Sequence, residues 1–491
     1  MKHPTLVIVI TAVLFGINHA YELRVVKVQM GNEDGDGMDG GFMDIKFFGG
    51  GEFEFEICNL EPKNCCQTSE LNSEDNNWEV GEVNYFIGRQ LGGCKNFNIS
   101  EEASDQKVTL KVTHSGPDGG KIQNVTLFGS RQLLHTYHTC KINKELDNSE
   151  EDIFDCDDKV ADDEYKNTCN GHSKFCDLKF DQVTFAGAHN AGTGMSYQPI
   201  ADCFVTNQDL SLTEMLDFGL RFFDFDIKYD ESTSELVTGW KKYIIFDSPF
   251  LKNFFFSGHG PSKWYYTYGK VEDALNEIKS WMIQNPEDIV VLYFGAILEP
   301  KKSAIESLRN LLEQEFDGKS GNPGLYEMNA GKWPTLKEAK SENQKVFTFV
   351  RIENETELKL LGSKIIGEVK VKENKEIKNI TGSYKVLSTY SSTKIGSECE
   401  KLPEKIEEAC KQSKNADFTK LAIFSSAGKN FGTCLWTMAR KCNSQLEKTI
   451  EKCKSAGEKR VINFLQSDYP NYPGPNGKTN VELAYEQNLA N

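Results

Sequence analysis

The sequence predicts an α/β protein in which a (β/α)8-type, TIM-like barrel over 181–491 follows an all-β sandwich over 21–145. Two patterns carry this prediction. Before residue 146, short alternating apolar segments are separated by glycine-rich turns, as in β-sandwiches. After residue 181, amphipathic helical segments alternate with short apolar strands. This alternation implies a parallel sheet covered on both faces by helices, and the barrel is the closed version of that sheet.

The chain starts with a predicted secretory signal peptide over 1–20. Lys2 and His3 form a basic start, an apolar run extends from Leu6 to Phe15, and Ala20 is a small residue at the expected cleavage point. The run is too short to span a bilayer, and no later stretch approaches about 18 continuous apolar residues. We therefore expect a secreted, extracellular protein without a transmembrane segment.

The region after the signal peptide has the two-residue alternation of β-strands. The candidate strands cover 23–28, 42–47, 53–57, 108–113 and 125–128. Residues 146–180 are acidic and contain cysteines, which predicts a linker held by disulfides. A calcium loop is the alternative for this acidic run, but the run lacks the spacing and glycine of an EF-hand.

The barrel region is predicted from helical and strand periodicities in turn. Candidate helices cover 212–218, 271–282 and 305–316, and candidate strands cover 183–186, 220–227, 289–294, 346–350 and 461–465. The segment 352–460 is rich in lysine and glutamate and contains cysteines. We interpret it as carrying insertions on the barrel.

The fourteen cysteines, an even number in a predicted exported chain, favour disulfide bonds. A zinc site is the alternative, but the cysteines show neither paired C-x-x-C spacing nor a histidine at ligand spacing. The pairing stays open. Four N-x-S/T sequons predict glycosylated surface positions at Asn98, Asn124, Asn354 and Asn379.

The chain is acidic, with a formal net charge of −17. This charge argues against nucleic acid as a partner and against purely electrostatic adhesion to anionic membranes. Solubility of a secreted protein is the simpler explanation of the excess of carboxylates.

Polar residues stand at the ends of several candidate strands, which is where barrel enzymes assemble their sites. His189 and Asn190 follow the first strand, and a glycine-rich turn follows them. Asp224 and Asp226 are two residues apart, so a strand would present both on one face. Taken singly, each of these residues has a structural explanation; Asp224, for example, could pair with Arg221 or a nearby lysine. Further along the chain, the candidates are His259, Arg351 and Asp468.

Five segments in this order resemble the X-region of phosphatidylinositol-specific phospholipase C in its secreted, bacterial-like form. The segments are Gly187-Ala-His-Asn-Ala-Gly-Thr193, Gly219-Leu-Arg-Phe-Phe-Asp-Phe-Asp226, Ser257-Gly-His-Gly260, Lys345-Val-Phe-Thr-Phe-Val-Arg351 and Asn463-Phe-Leu-Gln-Ser-Asp-Tyr469. The resemblance covers roughly 181–470, and the ordered set is far more specific than any one segment.

The resemblance implies a role for each matching residue. His189 would be the general base that takes the proton of the inositol 2-hydroxyl, and His259 the general acid that protonates the departing diacylglycerol oxygen. Two histidines suit these roles because their ordinary pKa of about 6.5 lets one accept and one donate a proton near neutral pH. Asp468 would orient His189, and Arg351 would bind the inositol or its phosphate. The substrate would be phosphatidylinositol or a glycosyl-phosphatidylinositol (GPI) anchor at a membrane surface.

The chain departs from the metal-free bacterial pattern at two positions. Those enzymes carry an aspartate after the first histidine and an arginine where this chain has Asp226. The His-Asn and Asp-x-Asp arrangement here is similar to calcium-dependent members, so Asn190, Asp224 and Asp226 are candidate ligands of Ca²⁺. However, the further carboxylate of those members is missing at Tyr293-Phe-Gly-Ala296, and so is the strand lysine of other members.

Two other functions stay open on the sequence. One is a related phosphodiesterase acting on another phospholipid, such as sphingomyelin or a lysophospholipid. The other is a catalytically weak extracellular binding protein. In addition, an aromatic cluster over 246–268 beside His259 is either a rim that contacts membrane or part of the barrel packing.

Overall fold

The computed structural model of the protein describes most of the C-terminal two thirds and the strands of the N-terminal third. The described residues are 20–30, 52–59, 64–68, 83–87, 91, 94, 98–100, 108–115, 120–129, 136–146, 151–158, 167–195, 206–242, 264–298, 301–328, 332–371, 374–379, 382–394, 399–412, 418–426, 435–456, 461–473 and 477–491.

The N-terminal third forms one antiparallel sheet of nine strands. The strands are β1 (Ala20–Met30), β2 (Glu52–Asn59), β3 (Asn64–Gln67), β4 (Val83–Ile87), β5 (Asn98–Ser100), β6 (Val108–Ser115), β7 (Gly120–Gly129), β8 (Thr136–Leu146) and β9 (Glu151–Asp158). Their order is β3-β2-β6-β9-β8-β7-β1-β4, with β5 paired to β1. The described pairings form one continuous sheet, so they do not show the two-layer sandwich that the sequence predicts.

Disulfides connect neighbouring parts of this sheet. Cys140 on β8 and Cys156 on β9 are direct cross-strand partners and form a disulfide. A second disulfide joins Cys66 to Cys94. Strand β9 falls within the acidic segment that the sequence suggests as a linker, and it pairs with both β6 and β8. The first part of that segment therefore belongs to the sheet.

The remaining strands form a second, mainly parallel sheet of eleven strands. They are β10 (Phe185–Ala188), β11 (Phe222–Asp230), β12 (Glu235–Lys242), β13 (Trp264–Lys270), β14 (Val290–Leu298), β15 (Val346–Ile352), β16 (Ile366–Val371), β17 (Asn374–Asn379), β18 (Gly382–Lys394), β19 (Phe418–Ser426) and β20 (Phe464–Ser467). The order is β10-β20-β19-β18-β17-β16-β15-β14-β11-β12-β13, and β10 also pairs with β11. Because β10 pairs with both β20 and β11, the sheet curls round on itself.

Nine α-helices, counted over the described residues, accompany this second sheet. They are α1 (Leu212–Phe218), α2 (Val271–Gln284), α3 (Lys301–Glu315), α4 (Leu336–Ser341), α5 (Glu355–Leu361), α6 (Leu402–Gln412), α7 (Leu435–Asn443), α8 (Leu446–Ala456) and α9 (Asn480–Ala490). The mixed α/β prediction is thus confirmed. Among the described residues, no helix is both long and apolar enough to cross a membrane.

The segment 352–460 contributes strands to the curled sheet. Strands β16 to β19 all lie within it, and only the pairs that β17 makes with its two neighbours are antiparallel. Two disulfides, Cys399–Cys442 and Cys410–Cys453, connect the α6 region to α7 and α8. In addition, Cys169 pairs with Cys176 just before the sheet begins. The described cysteines form disulfides, as the sequence predicts.

Aromatic side chains fill the interior of the curled sheet on one side of the polar residues. Phe180 stacks on Phe347 with ring centroids 4.0 Å apart, and Phe222 stacks on Phe464 at 4.7 Å. All four side chains are buried, at 4 % exposure or less. Burying each ring contributes roughly 2–3 kcal/mol. This apolar packing supports the polar side chains of the candidate site.

Candidate active site

Strands β10 and β20 bring two of the predicted residues together. The strands pair in parallel, with Ala188 opposite Ser467, so His189 and Asp468 leave the sheet side by side. The His189 backbone N–H also donates to the Ser467 carbonyl over 3.1 Å. This adjacency results from the sheet closing on itself, because the two side chains are 279 positions apart in the chain.

The His189 and Asp468 side chains form a short hydrogen-bonded pair. Nδ1 of His189 lies 2.6 Å from Oδ1 of Asp468, and the two side chains are 17 % and 0 % exposed. Burial alone lowers the pKa of His189, but the charge of Asp468 and the hydrogen bond outweigh it and raise this pKa above its ordinary value. Because Nδ1 faces the carboxylate, a proton exchanged with a substrate would be carried by Nε2.

Two buried amides that the sequence reasoning missed hold this pair in place. Nε2 of Gln208 donates to the His189 carbonyl over 2.8 Å and to the Ser467 carbonyl over 3.3 Å. Nδ2 of Asn443 donates to the Asp468 carbonyl over 2.9 Å. Neither residue lies at the end of a candidate strand, so no pattern in the sequence marked them. Their donors fix the backbone on both sides of the pair.

The glycine-rich turn after His189 passes close to neighbouring chain segments. Asn190 has a φ of +48°, a conformation that asparagine tolerates better than most residues. A Cβ placed on Gly187 would lie 2.4 Å from the Phe222 ring. A Cβ on Gly194 would lie 1.9 Å from the Leu210 carbonyl oxygen. Close packing therefore favours glycine at these two positions, in addition to the proposed chemical role of the motif.

We expect Gly194→Ala to lower the free energy of unfolding by about 3 kcal/mol, because backbone must move to admit the methyl group. Urea unfolding followed by circular dichroism measures this loss. Gly321→Ala is the control, since Gly321 has a φ of +88° but nothing within 4 Å of an added Cβ. The control should lose only about 1 kcal/mol, from backbone strain. Equal losses in the two variants would contradict the steric explanation.

Asp224 and Asp226 lie on one face of β11, as their spacing predicts, but they meet different surroundings. Asp224 is 5 % exposed, and its Oδ2 accepts a hydrogen bond from Nε2 of Gln466 over 2.5 Å. Its predicted structural alternative, a pair with Arg221, does not form, because Nε of Arg221 donates to Asp288 over 3.1 Å. Nζ of Lys420 instead lies 3.9 Å from Asp224 Oδ2.

Asp226 lines a small cavity with an empty volume of about 180 Å³, open towards solvent. Asn190, Thr193 and Tyr268 are among the residues that line the same cavity. Burial and the neighbouring charge of Asp224 raise the pKa of Asp226 to about 7, against the opposing charges of His189, Lys420 and Arg351. Asp226 is therefore a carboxyl group that titrates near neutral pH.

The three candidate calcium ligands have neighbours that bear on metal binding. Oδ1 of Asn190 and Oδ1 of Asp224 are buried and accept no hydrogen bond within the part of the chain that the structure describes. However, Oδ1 of Asp224 lies against the backbone of Gly295, where an added Cβ would approach it to 2.6 Å, and the Lys420 ammonium lies beside the other oxygen. The set fits a divalent cation poorly, so we derive no step through calcium.

Of the two other predicted residues, the structure describes Arg351 but not His259. Arg351 lies near the end of β15 and is partly exposed, and its charge acts on Asp226. His259 lies outside the described residues, as does the part of the aromatic cluster over 246–263. Of the sequons, Asn354 is exposed and caps α5 by accepting from the Thr356 and Glu357 backbone N–H groups. Asn98, Asn124 and Asn379 lie in β5, β7 and β17.

Comparison with known proteins gives one curated relative. The chain is 26 % identical over 187 residues to PI-PLC X domain-containing protein 1 of Arthroderma benhamiae. The match covers 37 % of this chain and 50 % of the relative, so the chain spans about half the length of the curated relative it matches. No family model matches the chain.

The solved structures that the comparison finds include phosphatidylinositol-specific phospholipase C from two bacteria. A Staphylococcus aureus structure has a TM-score of 0.46 and 16 % identity, over 66 % of this chain and 99 % of that chain. The F249X mutant of the S. aureus protein has a TM-score of 0.44 and 17 % identity, with the same coverage. The Listeria monocytogenes structure has a TM-score of 0.37 and 14 % identity, over 64 % and 95 %.

Proposed function

We propose that this chain is a phosphodiesterase similar to the PI-PLC X-domain proteins and that it cleaves phosphatidylinositol or GPI anchors. The observation that supports this proposal best is the buried hydrogen bond between His189 and Asp468 at the mouth of the curled sheet. A histidine whose Nδ1 is held by a buried carboxylate, so that Nε2 would exchange the substrate proton, is the arrangement of a general base.

The proposed reaction has one internal displacement at phosphorus. Nε2 of His189 takes the proton of the inositol 2-hydroxyl, and the resulting oxygen attacks the adjacent phosphorus. The bond from phosphorus to the diacylglycerol oxygen breaks, and His259 gives that oxygen a proton. The products are diacylglycerol and inositol 1,2-cyclic phosphate, so atoms and protons balance. Each histidine is worth about 10²–10⁴ in rate.

Arg351 is proposed to bind the substrate beside this centre. Its guanidinium is always charged and can hold a phosphate or two vicinal hydroxyls through paired N–H donors. Its position near the end of β15 and its electrostatic effect on Asp226, which lines the cavity, support this role. The proposed substrate is a lipid at a membrane surface, which the enzyme would approach from water.

Secretion is part of the same proposal. The disulfides of the described residues form and persist in oxidising compartments such as the secretory pathway. Together with the predicted signal peptide and the four sequons, they support export. An exported enzyme meets the outer leaflet of the plasma membrane, where GPI anchors are exposed.

Incubation of purified protein with phosphatidylinositol vesicles tests the activity. We expect diacylglycerol and inositol 1,2-cyclic phosphate, detected by mass spectrometry and phosphorus NMR. His189→Ala should abolish both products, whereas His172→Ala should not, since His172 caps a short helix at Ser173–Asp177. Release of free inositol with the phosphate left on the lipid would refute phospholipase C chemistry. Sphingomyelin vesicles tested in parallel distinguish the related phosphodiesterase.

A further inference from the structure

A lysine lies inside the curled sheet, next to the candidate site. Lys420 is the third residue of β19 and is 1 % exposed. Its Nζ lies 3.5 Å from the ring centroid of Tyr293 and 5.3 Å from that of Phe222. Lysine is rarely buried to this degree unless it is paired, because desolvation of an ammonium group is costly.

Among the described residues, this ammonium lies close to two aromatic faces and a carboxylate. Asp224 Oδ2 is 3.9 Å from Nζ, and the same oxygen accepts a hydrogen bond from Gln466. The Tyr293 hydroxyl donates to Oε2 of Glu368 over 2.6 Å, which holds the ring in place. Glu368 is itself 3 % exposed. Ring faces attract cations, and the attraction is strongest where water is excluded.

Positively charged side chains of the protein itself balance the charges of the Asp224 and Asp226 carboxylates. Asp224 and Asp226 lie on the same face of one strand, so two carboxylates repel each other there. His189, Lys420 and Arg351 all act electrostatically on Asp226 with the opposite sign. The structure also places Lys420 beside Asp224. A pair of carboxylates with such neighbours has less need of an added cation.

We propose that Lys420 is the counter-ion of Asp224, and that it positions this carboxylate under the cavity in place of a divalent cation. Lys420 draws Asp224 towards Gln466 and the Gly295 backbone, and this leaves Asp226 alone to face the cavity that Asn190 lines. Lys420 is thus a positioning residue that acts through Asp224. The proposal concerns the folded chain and does not depend on which substrate the enzyme cleaves.

Thermal unfolding of the full chain in chelator and in millimolar calcium chloride tests the proposal, with calcium binding followed by calorimetry. Wild type should show the same Tm in both buffers and no calcium-binding heat. Lys420→Met removes the charge and keeps most of the chain length, so its uncompensated carboxylates should bind calcium and its Tm should rise with the ion. Adding Asp226→Asn to that variant should cancel the rise. Lys420→Arg should restore insensitivity to calcium.

A second buried lysine provides the matched control. Lys345 is 6 % exposed, and its Nζ donates to the Pro286 carbonyl over 3.1 Å. Lys345→Met should lower Tm equally in both buffers. The proposal is overturned if wild type gains stability from calcium and Asp226→Asn removes that gain, a comparison that needs no Lys420 variant to fold. A folded Lys420→Met that ignores calcium overturns it as well. Because no substrate is present, neither result bears on the proposed phosphodiesterase activity.

Discussion

Asp468→Asn is expected to lower kcat/KM on phosphatidylinositol by about 10²–10⁴-fold, close to the loss in His189→Ala. The carboxylate of Asp468 is fully buried and 2.6 Å from Nδ1 of His189, so it fixes the tautomer and stabilises the imidazolium that forms when the base takes a proton. An asparagine amide keeps the shape but offers no charge. Steady-state assays on vesicles of fixed composition measure the loss.

The pH profile of Asp468→Asn separates this role from a structural one. Asp468 raises the pKa of His189, so the acidic limb of the kcat/KM profile should move to lower pH in the variant. The raised pKa also stabilises the fold at pH values below the ordinary pKa of histidine, and this stabilisation is lost as the pH rises through the folded pKa. The variant should therefore lose more stability at pH 5.5 than at pH 9. A reduced rate with an unmoved acidic limb would contradict the assignment.

Asp226→Asn is expected to stabilise the protein at pH 8 and to have little effect at pH 4. The pKa of Asp226 is raised from 3.8 to about 7, so folding is opposed by its ionisation once the pH exceeds the unfolded value. The opposition grows as the pH rises towards 7 and then levels off. Its full size is on the order of a few kcal/mol, since a tenfold change in an acid dissociation constant corresponds to about 1.4 kcal/mol and water in the open cavity screens part of the effect.

Urea unfolding of wild type and Asp226→Asn between pH 4 and pH 8, in chelator, measures this difference. The matched control is Asp230→Asn on the same strand, whose carboxylate is held by Ser232 and has a lowered pKa. A lowered pKa stabilises the fold above the unfolded value, so this control should lose a little stability at pH 8. If Asp226→Asn behaves like Asp230→Asn, the prediction that burial and Asp224 raise the pKa of Asp226 is wrong.

The sequence pattern marked the candidate residues more clearly than it marked the residues that contact them in the structure. His189 and Asp468 were recognisable because each follows a short apolar run at the end of a strand. Lys420 carried a weaker signal, a single cation inside the apolar run Phe418-Thr-Lys-Leu-Ala-Ile-Phe424. Gln208 and Asn443 carried none, because a buried amide that donates to backbone has no characteristic spacing in the chain.

The predicted N-terminal sandwich shows what residue alternation alone does not determine. Alternation marks residues that face opposite sides of a strand, and the observed strands β2, β6 and β7 overlap the predicted ones. Alternation does not say which strands pair or whether a second layer exists. The described pairings give one antiparallel sheet joined by the Cys140–Cys156 disulfide, and this cross-link was likewise not readable from cysteine spacing.

By itself, the sequence determined the alternation of helices and strands, the disulfide-forming character of the chain and the order of its polar strand ends. These are local properties, set by side-chain periodicity and residue type. Only the tertiary structure decided that His189 meets Asp468, and that Asp224 accepts a hydrogen bond from Gln466 and lies beside Lys420. Those contacts join strands far apart in the chain, and they exist because a curled sheet brings its first strand against its last.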